Sequence, residues 1–315
     1  MSTQQPAAVE SDPTTIAAPK PDRKILVAFV LVVLLGGAAA VAIRFTYTEL
    51  PPFWGAFMRF FTAAVIFWVL MLVRKVPVPR GKSLLGAVLF GMLAVGASNI
   101  LINWGLVETP ASVYQTIAAL VPLLTLIFAT LHGLEKLSWR GVLGGALAVG
   151  GILVIFSGSM AEGVALSIPP LLAILLGIFF IAEAGVVAKL VPKTPPIATI
   201  AVAMSVGALM LFLTSLLAGE QWVLPSTMGV WLAVGYLVLG VSVSMFLLYL
   251  YILGRWTASA TSYAFVLFPI VTVLLAAQLA GERISLAFIA GGVLVLGGVW
   301  FGALSFRRKS KESGS

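Results

Sequence analysis

Cysteine is absent from this chain of 315 residues, and histidine occurs once. Without cysteine there is no disulfide framework, no thiolate nucleophile and no cysteine-ligated metal site. The one histidine, His132, cannot by itself build a metal site or a Ser-His-Asp triad, so we interpret it as a structural residue at the end of an apolar segment. The sequence contains no Walker motif, which argues against ATP as an energy source. We therefore expect no catalytic residue, no metal and no cofactor.

Charge is also scarce, since charged residues make up 10% of the chain and apolar residues 61%, with a mean hydropathy of +1.12. A soluble domain carries about a quarter charged residues. Ten apolar segments have roughly the 20 residues that a helix needs to cross a bilayer. The predicted fold class is therefore an all-α integral membrane protein with ten transmembrane helices, arranged as two inverted five-helix repeats. The predicted spans are 25–43, 52–73, 83–104, 110–131, 138–157, 169–190, 196–217, 228–252, 258–279 and 285–305.

The remaining segments are short. Residues 1–24 are rich in Pro, Ala, Thr and Gln and lack periodicity, which predicts a disordered cytoplasmic tail. No apolar segment lies within this tail, so we do not interpret it as a signal peptide. Residues 25–157 and 169–305 form the two predicted repeats, 158–168 are a linker, and 306–315 are a basic cytoplasmic tail.

The basic residues predict the orientation. With the N-terminus in the cytoplasm, 16 of the 19 lysines and arginines fall on the cytoplasmic side. Only Arg44 and Arg283 fall outside, and Arg59 lies within a span. The net charge of +8 is thus a topology signal and does not indicate a nucleic-acid partner. We expect a multi-pass protein of the bacterial inner (cell) membrane with both termini cytoplasmic.

A sequence pattern recurs after 147 positions. Each copy holds an Ala-Ser pair, a proline, a threonine, a glutamate followed by a cation, a serine and two glycine pairs. The first copy comprises Ala111, Ser112, Pro122, Thr125, Glu135, Lys136, Ser138, Gly144, Gly145, Gly150 and Gly151, and the second Ala258, Ser259, Pro269, Thr272, Glu282, Arg283, Ser285, Gly291, Gly292, Gly297 and Gly298. Five spans in each half, an odd number, make the two halves inverted, as in many secondary transporters.

These motifs, with a basic residue before Pro51-Pro52 and before Pro195-Pro196, resemble the EamA-type transporters of the drug/metabolite transporter superfamily. The resemblance covers residues 25–305. It implies a ten-helix fold and secondary transport by alternating access, commonly proton-coupled export of amino acids or related compounds. This chain departs from the pattern at Arg59, because Ala203 occupies the matching place in the second half.

Two ionisable residues lie well inside spans, where charges are costly and mark candidate functional sites. Arg59 either anchors a substrate carboxylate through its guanidinium fork or extends its side chain to the interface. Glu183 lacks a partner on its own helix, since Lys189 lies on another face. It is our candidate proton-coupling residue, and the alternative is a polar group in a wet cavity.

Other polar residues are candidate substrate contacts. Asn99 and Asn103 share one helix face, with Trp104 beside them, and interhelical hydrogen bonding is the alternative. Helix starts supply the remaining candidates, for which an interfacial aromatic belt is the alternative. These are Tyr114, Gln115, Ser259 and Tyr263. Glu135 and Glu282 are expected at helix junctions, where Ser138 and Ser285 cap the next helix.

The leading interpretation is a transporter with a small-molecule substrate and membrane lipid as its surroundings. Drug or cation efflux and metabolite uptake by the same fold are alternatives. A membrane-embedded enzyme would need clustered acid, base or nucleophile residues, and a pore would need a polar stripe, which this sequence lacks. The glycine pairs predict close helix packing or a homodimer face.

Overall fold

The computed structural model describes residues 23–134, 139–161, 167–192, 194–256, 258–279 and 285–301. These residues contain no strand and form a helical bundle, in which we count helical segments that continue into one another as one helix. The helices are α1 (Arg23–Thr46), α2 (Pro52–Val73), α3 (Lys82–Glu108), α4 (Ala111–Leu131), α5 (Trp139–Ala161), α6 (Ile168–Leu190), α7 (Pro196–Leu217), α8 (Met228–Leu253), α9 (Ala258–Leu279) and α10 (Leu286–Val299).

In the described part of the chain, seven helices are long and apolar enough to cross a membrane, namely α1–α4 and α6–α8. The other three predicted spans coincide with α5, α9 and α10, whose shorter apolar segments are Val142–Ile155, Ala264–Leu279 and Leu286–Gly298. The chain is thus an all-helical protein with multiple apolar spans. The count of ten spans stays a prediction.

Proline and serine set several helix starts. Helices α2 and α7 begin at Pro52 and Pro196, where the missing N–H costs nothing and the fixed φ suits a first turn. Ser285 caps α10, as predicted, because its Oγ accepts the N–H of Phe288 at 3.0 Å. Glu135, Ser138 and Glu282 lie outside the described residues.

The helix contacts are symmetric between the two halves. Helix α2 packs on α7 and α5 packs on α10, each pair joining matching helices of the two halves. The contact of α1 with α9 is mirrored by that of α6 with α4, and the contact of α3 with α6 by that of α8 with α1. When each helix is replaced by the matching helix of the other half, every one of these contacts is found again.

The repeated glycines bring α5 and α10 together. A Cβ on Gly151 would lie 2.5 Å from the carbonyl oxygen of Gly291, and a Cβ on Gly298 would lie 2.5 Å from that of Gly144. The two backbones thus approach to a distance that larger residues would prevent. The predicted close packing is intramolecular at these positions, and the homodimer stays a prediction.

Helices α3 and α8 share an irregularity. Gly91–Ala97 in α3 and Tyr236–Met245 in α8 form π-helical turns. Such turns change the direction of the side chains that follow and occur often at functional sites. Here the α8 turn carries Ser242, and the α3 turn precedes Asn99.

Candidate functional site

A central cavity of about 1070 Å³, counting the solvent space at its mouth, lies among helices of both halves. Its polar lining consists of Arg59, Asn99, Tyr114 and Gln115. Six aromatic side chains, with aliphatic residues and two glycines, form the rest of the described wall. These six aromatic residues are Phe60, Phe90, Phe246, Tyr249, Phe265 and Phe268. A concave apolar pocket with a few convergent polar groups is the usual form of a small-molecule site.

Among the described residues, Arg59 is the charged residue of this wall. Its side chain is buried, with the residue 7% exposed, and its Nε donates a hydrogen bond to Ser242 Oγ at 2.7 Å. Within the described part of the chain, no carboxylate lies within salt-bridge distance of the guanidinium. The interpretation that Arg59 extends to the interface does not fit this burial. A buried cation without a counter-ion is costly, so the site favours an anion.

A second, smaller cavity of about 290 Å³ also has Arg59 in its wall. Tyr47, Asn103, Val234 and Leu237 contribute to its wall. The Tyr47 hydroxyl donates to Asn103 Oδ1 at 2.9 Å. Burial raises the pKa of the Tyr47 hydroxyl, which therefore keeps the proton that this hydrogen bond needs. Asn103 is thus held by Tyr47 in the wall of the small cavity, which Arg59 also lines.

Two carboxylates join the two halves at one end of the bundle, which we name the Glu49 side. Glu220, between α7 and α8, accepts the N–H groups of Phe53 at 3.0 Å and Trp54 at 2.7 Å at the start of α2. Glu49, between α1 and α2, accepts the N–H of Ser226 at 2.5 Å, the N–H of Thr227 at 3.2 Å and the Thr227 hydroxyl, just before α8. Each half therefore supplies a carboxylate that binds a helix start of the other.

The Glu49 carboxyl is ionised at neutral pH. The hydrogen bond from the Thr227 side chain, with those from the Ser226 and Thr227 N–H groups, lowers its pKa to about 2. A helix N-terminus favours negative charge for the same reason, because its N–H groups are unpaired.

At the opposite end, which we name the Arg74 side, the large cavity adjoins a further cavity of about 950 Å³. Phe90 and Leu253 line both. The outer wall of the further cavity includes Lys189, Pro192 and Gly254, at the ends of α6 and α8. The large cavity thus extends from Arg59 toward the Arg74 side, while hydrogen bonds cover the Glu49 side.

The predicted substrate contacts divide into three groups. Arg59, Asn99, Tyr114 and Gln115 share the large cavity. Asn103 lies in the small one. Trp104 lines neither cavity and is 47% exposed, which places its ring on the outside of the bundle. The side chains of Ser259 and Tyr263 lie outside the described residues, although both belong to α9.

Glu183 has a partner that its own helix does not reveal. Its Oε1 lies 3.3 Å from His132 Nε2, at the end of α4. The neighbouring residues Ile181 and Gly185 line the large cavity, and Glu183 does not. The partner of Glu183 thus comes from another helix, and this pairing with His132 was not expected from the sequence. The spacing of residues along α6 carries no information on contacts between α4 and α6. That His132 is a structural residue stays a prediction.

Sequence reasoning missed several residues of the site, namely Ser242, Tyr47, Tyr249 and the two carboxylates Glu49 and Glu220. Ser242 and Ser244 interrupt an apolar span, which is a signal that could have identified Ser242. Glu49 and Glu220 lie in short connections and give no such signal. Among the described residues, no group of three or more His, Cys, Asp or Glu could hold a metal ion.

One known transporter resembles this chain over most of its length, and another protein resembles it over a shorter part. The inner membrane transporter YedA of Escherichia coli K12, described as uncharacterized, is 32% identical over 268 residues, which are 83% of this chain and 85% of that protein. A probable terminal-alkyne amino-acid exporter of Streptantibioticus cattleyicolor is 31% identical over 77 residues, 24% of this chain and 26% of that protein.

A solved structure, described only as "Crystal structure of protein", shares the fold with a TM-score of 0.65 at 20% identity. The alignment covers 90% of this chain and 99% of that one. The sequence also matches the EamA-like transporter family over residues 23–157 and 168–303. The apolar helices and the relatives together indicate a multi-pass inner-membrane transporter and not an enzyme. The chain belongs to the EamA-like transporter family.

Proposed function

We propose that this protein is a secondary transporter that exports small metabolites carrying a carboxylate, such as amino acids or related compounds, by alternating access. The observation that carries the proposal is the buried Arg59 guanidinium at the junction of two cavities, with no carboxylate at salt-bridge distance among the described residues. A guanidinium binds a carboxylate through two parallel N–H donors. Amino-acid export by the partial relative supports the substrate class only distantly.

The symmetric helix contacts between the two halves support inverted repeats. If five spans precede the second half, its helices run opposite to their counterparts, and packing pairs recur with the halves exchanged. A site between such halves can open to one side and then to the other when one half moves against the other. In this structure the large cavity extends to the Arg74 side.

Transport is tested in proteoliposomes of the full chain. Vesicles preloaded with an unlabelled carboxylate substrate should accumulate the labelled compound transiently by counterflow, and the rate should saturate with concentration. A carrier alternates a single site between two sides, which produces both properties. A rate that stays linear with concentration would indicate a pore and contradict the proposal, whereas chemical conversion of the label would indicate an enzyme.

We further propose that the Arg74 side is cytoplasmic, because the basic residues concentrate there. The absence of native cysteine permits a direct test. A cysteine at Glu108, at the exposed end of α3 on the Glu49 side, should react with an impermeant maleimide in intact cells. A cysteine at Arg74 should react only after lysis. The reverse pattern would refute this orientation and place both termini outside.

A further inference from the structure

Among the residues that the structure describes, the large cavity is lined by one cation, Arg59, and by no acidic group. Eleven acidic residues occur in the whole chain, and none of those that the structure describes lines the cavity. Seven lie in tails or connections outside the described residues. Of the other four, Glu49 and Glu220 bind helix starts on the Glu49 side, Glu108 ends α3, and Glu183 contacts His132 away from the cavity. No acidic group of the described ranges is therefore available beside Arg59.

The Arg59 guanidinium is held in place by one hydrogen bond, and its other N–H donors remain available. An arginine has five N–H donors in a planar fork. Ser242 occupies the Nε donor, and the rest of the group makes no hydrogen bond within the described part of the chain. A ligand carboxylate can therefore bind to the terminal nitrogens without displacing a protein anion.

An ammonium group on the ligand would have no such partner. The neutral groups beside Arg59 are Asn99, Tyr114 and Gln115, and none carries a negative charge. Moving an ammonium ion out of water without a counter-ion is costly, and a cation nearby adds repulsion. For a zwitterion, the cost of burying the ammonium group therefore offsets much of the binding free energy that the carboxylate contributes.

The aromatic and aliphatic wall favours an apolar body in the part of the ligand that lies away from the carboxylate. Six aromatic side chains, together with aliphatic ones, surround the space below Arg59. An apolar body buried there contributes in proportion to the area removed from water, whereas a short anion such as propionate leaves this wall unused.

Building on the proposed function, we propose that the cavity selects organic monocarboxylates with an aromatic or similarly large apolar body. It discriminates against the amino acid and the amine of the same body. Arg59 provides the charge selection, and Ser242 is a positioning residue that orients the guanidinium.

Four ligands that differ in their charged groups or in the phenyl ring test this selection on the purified full chain. They are 3-phenylpropionate, L-phenylalanine, phenethylamine and propionate. Binding is measured by calorimetry, with thermal stabilisation as a second readout. We expect 3-phenylpropionate to bind at least about tenfold more tightly than L-phenylalanine, which corresponds to about 1.4 kcal/mol. Phenethylamine and propionate should bind more weakly still.

Variants identify the source of the selectivity. Arg59→Gln should abolish the preference for 3-phenylpropionate, while Arg59→Lys keeps the charge and should keep part of it. Arg74→Gln makes the same change at an exposed position and should leave the series unchanged. Equal or tighter binding of L-phenylalanine would overturn the charge selection, even if counterflow of amino acids upheld the proposed function. Equal binding of propionate would overturn the role of the aromatic wall.

A different observation concerns the closure of the Glu49 side. Beside the two carboxylates, Trp54 Nε1 donates to the Val223 oxygen at 2.7 Å, and the Trp54 ring stacks on Trp222 at 5.6 Å. All of these contacts join the connection after α1 or the start of α2 to the connection after α7, and hence join the two halves. The equivalent connections on the Arg74 side, residues 74–81 and 191–195, contain no acidic residue in the sequence.

We infer that Glu49 and Glu220 form a reciprocal latch that keeps the Glu49 side closed while the large cavity faces the Arg74 side. Opening the Glu49 side requires each carboxylate to release the helix start of the other half. Glutamine provides one acceptor oxygen instead of two, so it cannot replace both bonds of Glu220.

Two single-cysteine reporters test the latch in the full chain. Val234→Cys lies in the small cavity below the latch, and Leu253→Cys lies at the Arg74 end of the large cavity. Adding Glu49→Gln with Glu220→Gln should raise the maleimide labelling rate at 234 by about tenfold, the effect of one lost charge-assisted hydrogen bond. The rate at 253 should fall, because the two openings exclude each other.

Glu108→Gln removes an exposed carboxylate from the same side and should change neither rate. Unchanged labelling at 234 in the double glutamine variant would overturn the latch. Faster labelling at both reporters would also overturn it, since that pattern indicates loosening of the whole bundle.

Discussion

Substitution of Arg59 by glutamine is expected to weaken binding of a carboxylate substrate by about 100-fold and to abolish its counterflow. The guanidinium is buried, faces both cavities and has no carboxylate within salt-bridge distance among the described residues. A hydrogen bond to a charged group contributes about 1.5–3 kcal/mol. Losing two of them in a low-dielectric cavity gives about two orders of magnitude in affinity.

Binding of a labelled carboxylate, measured with flux, checks this result. Arg59→Lys should retain a smaller part of the affinity, because a lysine keeps the charge but not the planar fork. Ser242→Ala should weaken binding less than Arg59→Lys does, since it frees the guanidinium without removing it. Normal transport by Arg59→Gln at normal abundance would show that the carboxylate binds elsewhere.

Substitution of Glu183 by glutamine is the second change with a large expected effect. If Glu183 couples transport to protons, glutamine should remove the response of flux to an imposed pH gradient and leave ligand binding intact. The structure sharpens this expectation, because Glu183 lies outside the lining of the large cavity and contacts His132. Loss of coupling without loss of affinity is the pattern that a coupling residue remote from the substrate produces.

Flux into proteoliposomes with and without a pH gradient, beside binding of the same ligand, provides the measurement. His132→Ala serves as the matched variant, since it removes the contact and leaves the carboxylate. Coupling that survives in Glu183→Gln would exclude this residue as the proton carrier. The contact would then only fasten α4 to α6.

Helix positions were predictable from the sequence with little error. The predicted spans 52–73 and 196–217 coincide with α2 and α7, because a proline fixes each start and hydropathy fixes the length. Helix α3 extends to Glu108, beyond the predicted end at residue 104. That last turn includes the fully buried Leu106 and ends at the exposed Glu108, just before Pro110.

The site was predictable in part. Arg59, Asn99, Tyr114 and Gln115 are unusual residues for apolar helices, and the structure brings them to one cavity. Trp104 was expected beside Asn103 because the two are adjacent in sequence. Adjacent residues on a helix point in directions about 100° apart, so Asn103 faces inward and Trp104 outward.

The sequence by itself determined the membrane environment, the positions of the helices, the internal repeat and the presence of one arginine within an apolar span. These properties depend on composition and on periodicity along one helix. The tertiary structure alone decided the contact of Glu183 with His132, the bond from Arg59 to Ser242 and the reciprocal hydrogen bonds of Glu49 and Glu220. Those contacts join helices or connections distant in sequence, and the rotation and packing of each helix decide which residues meet.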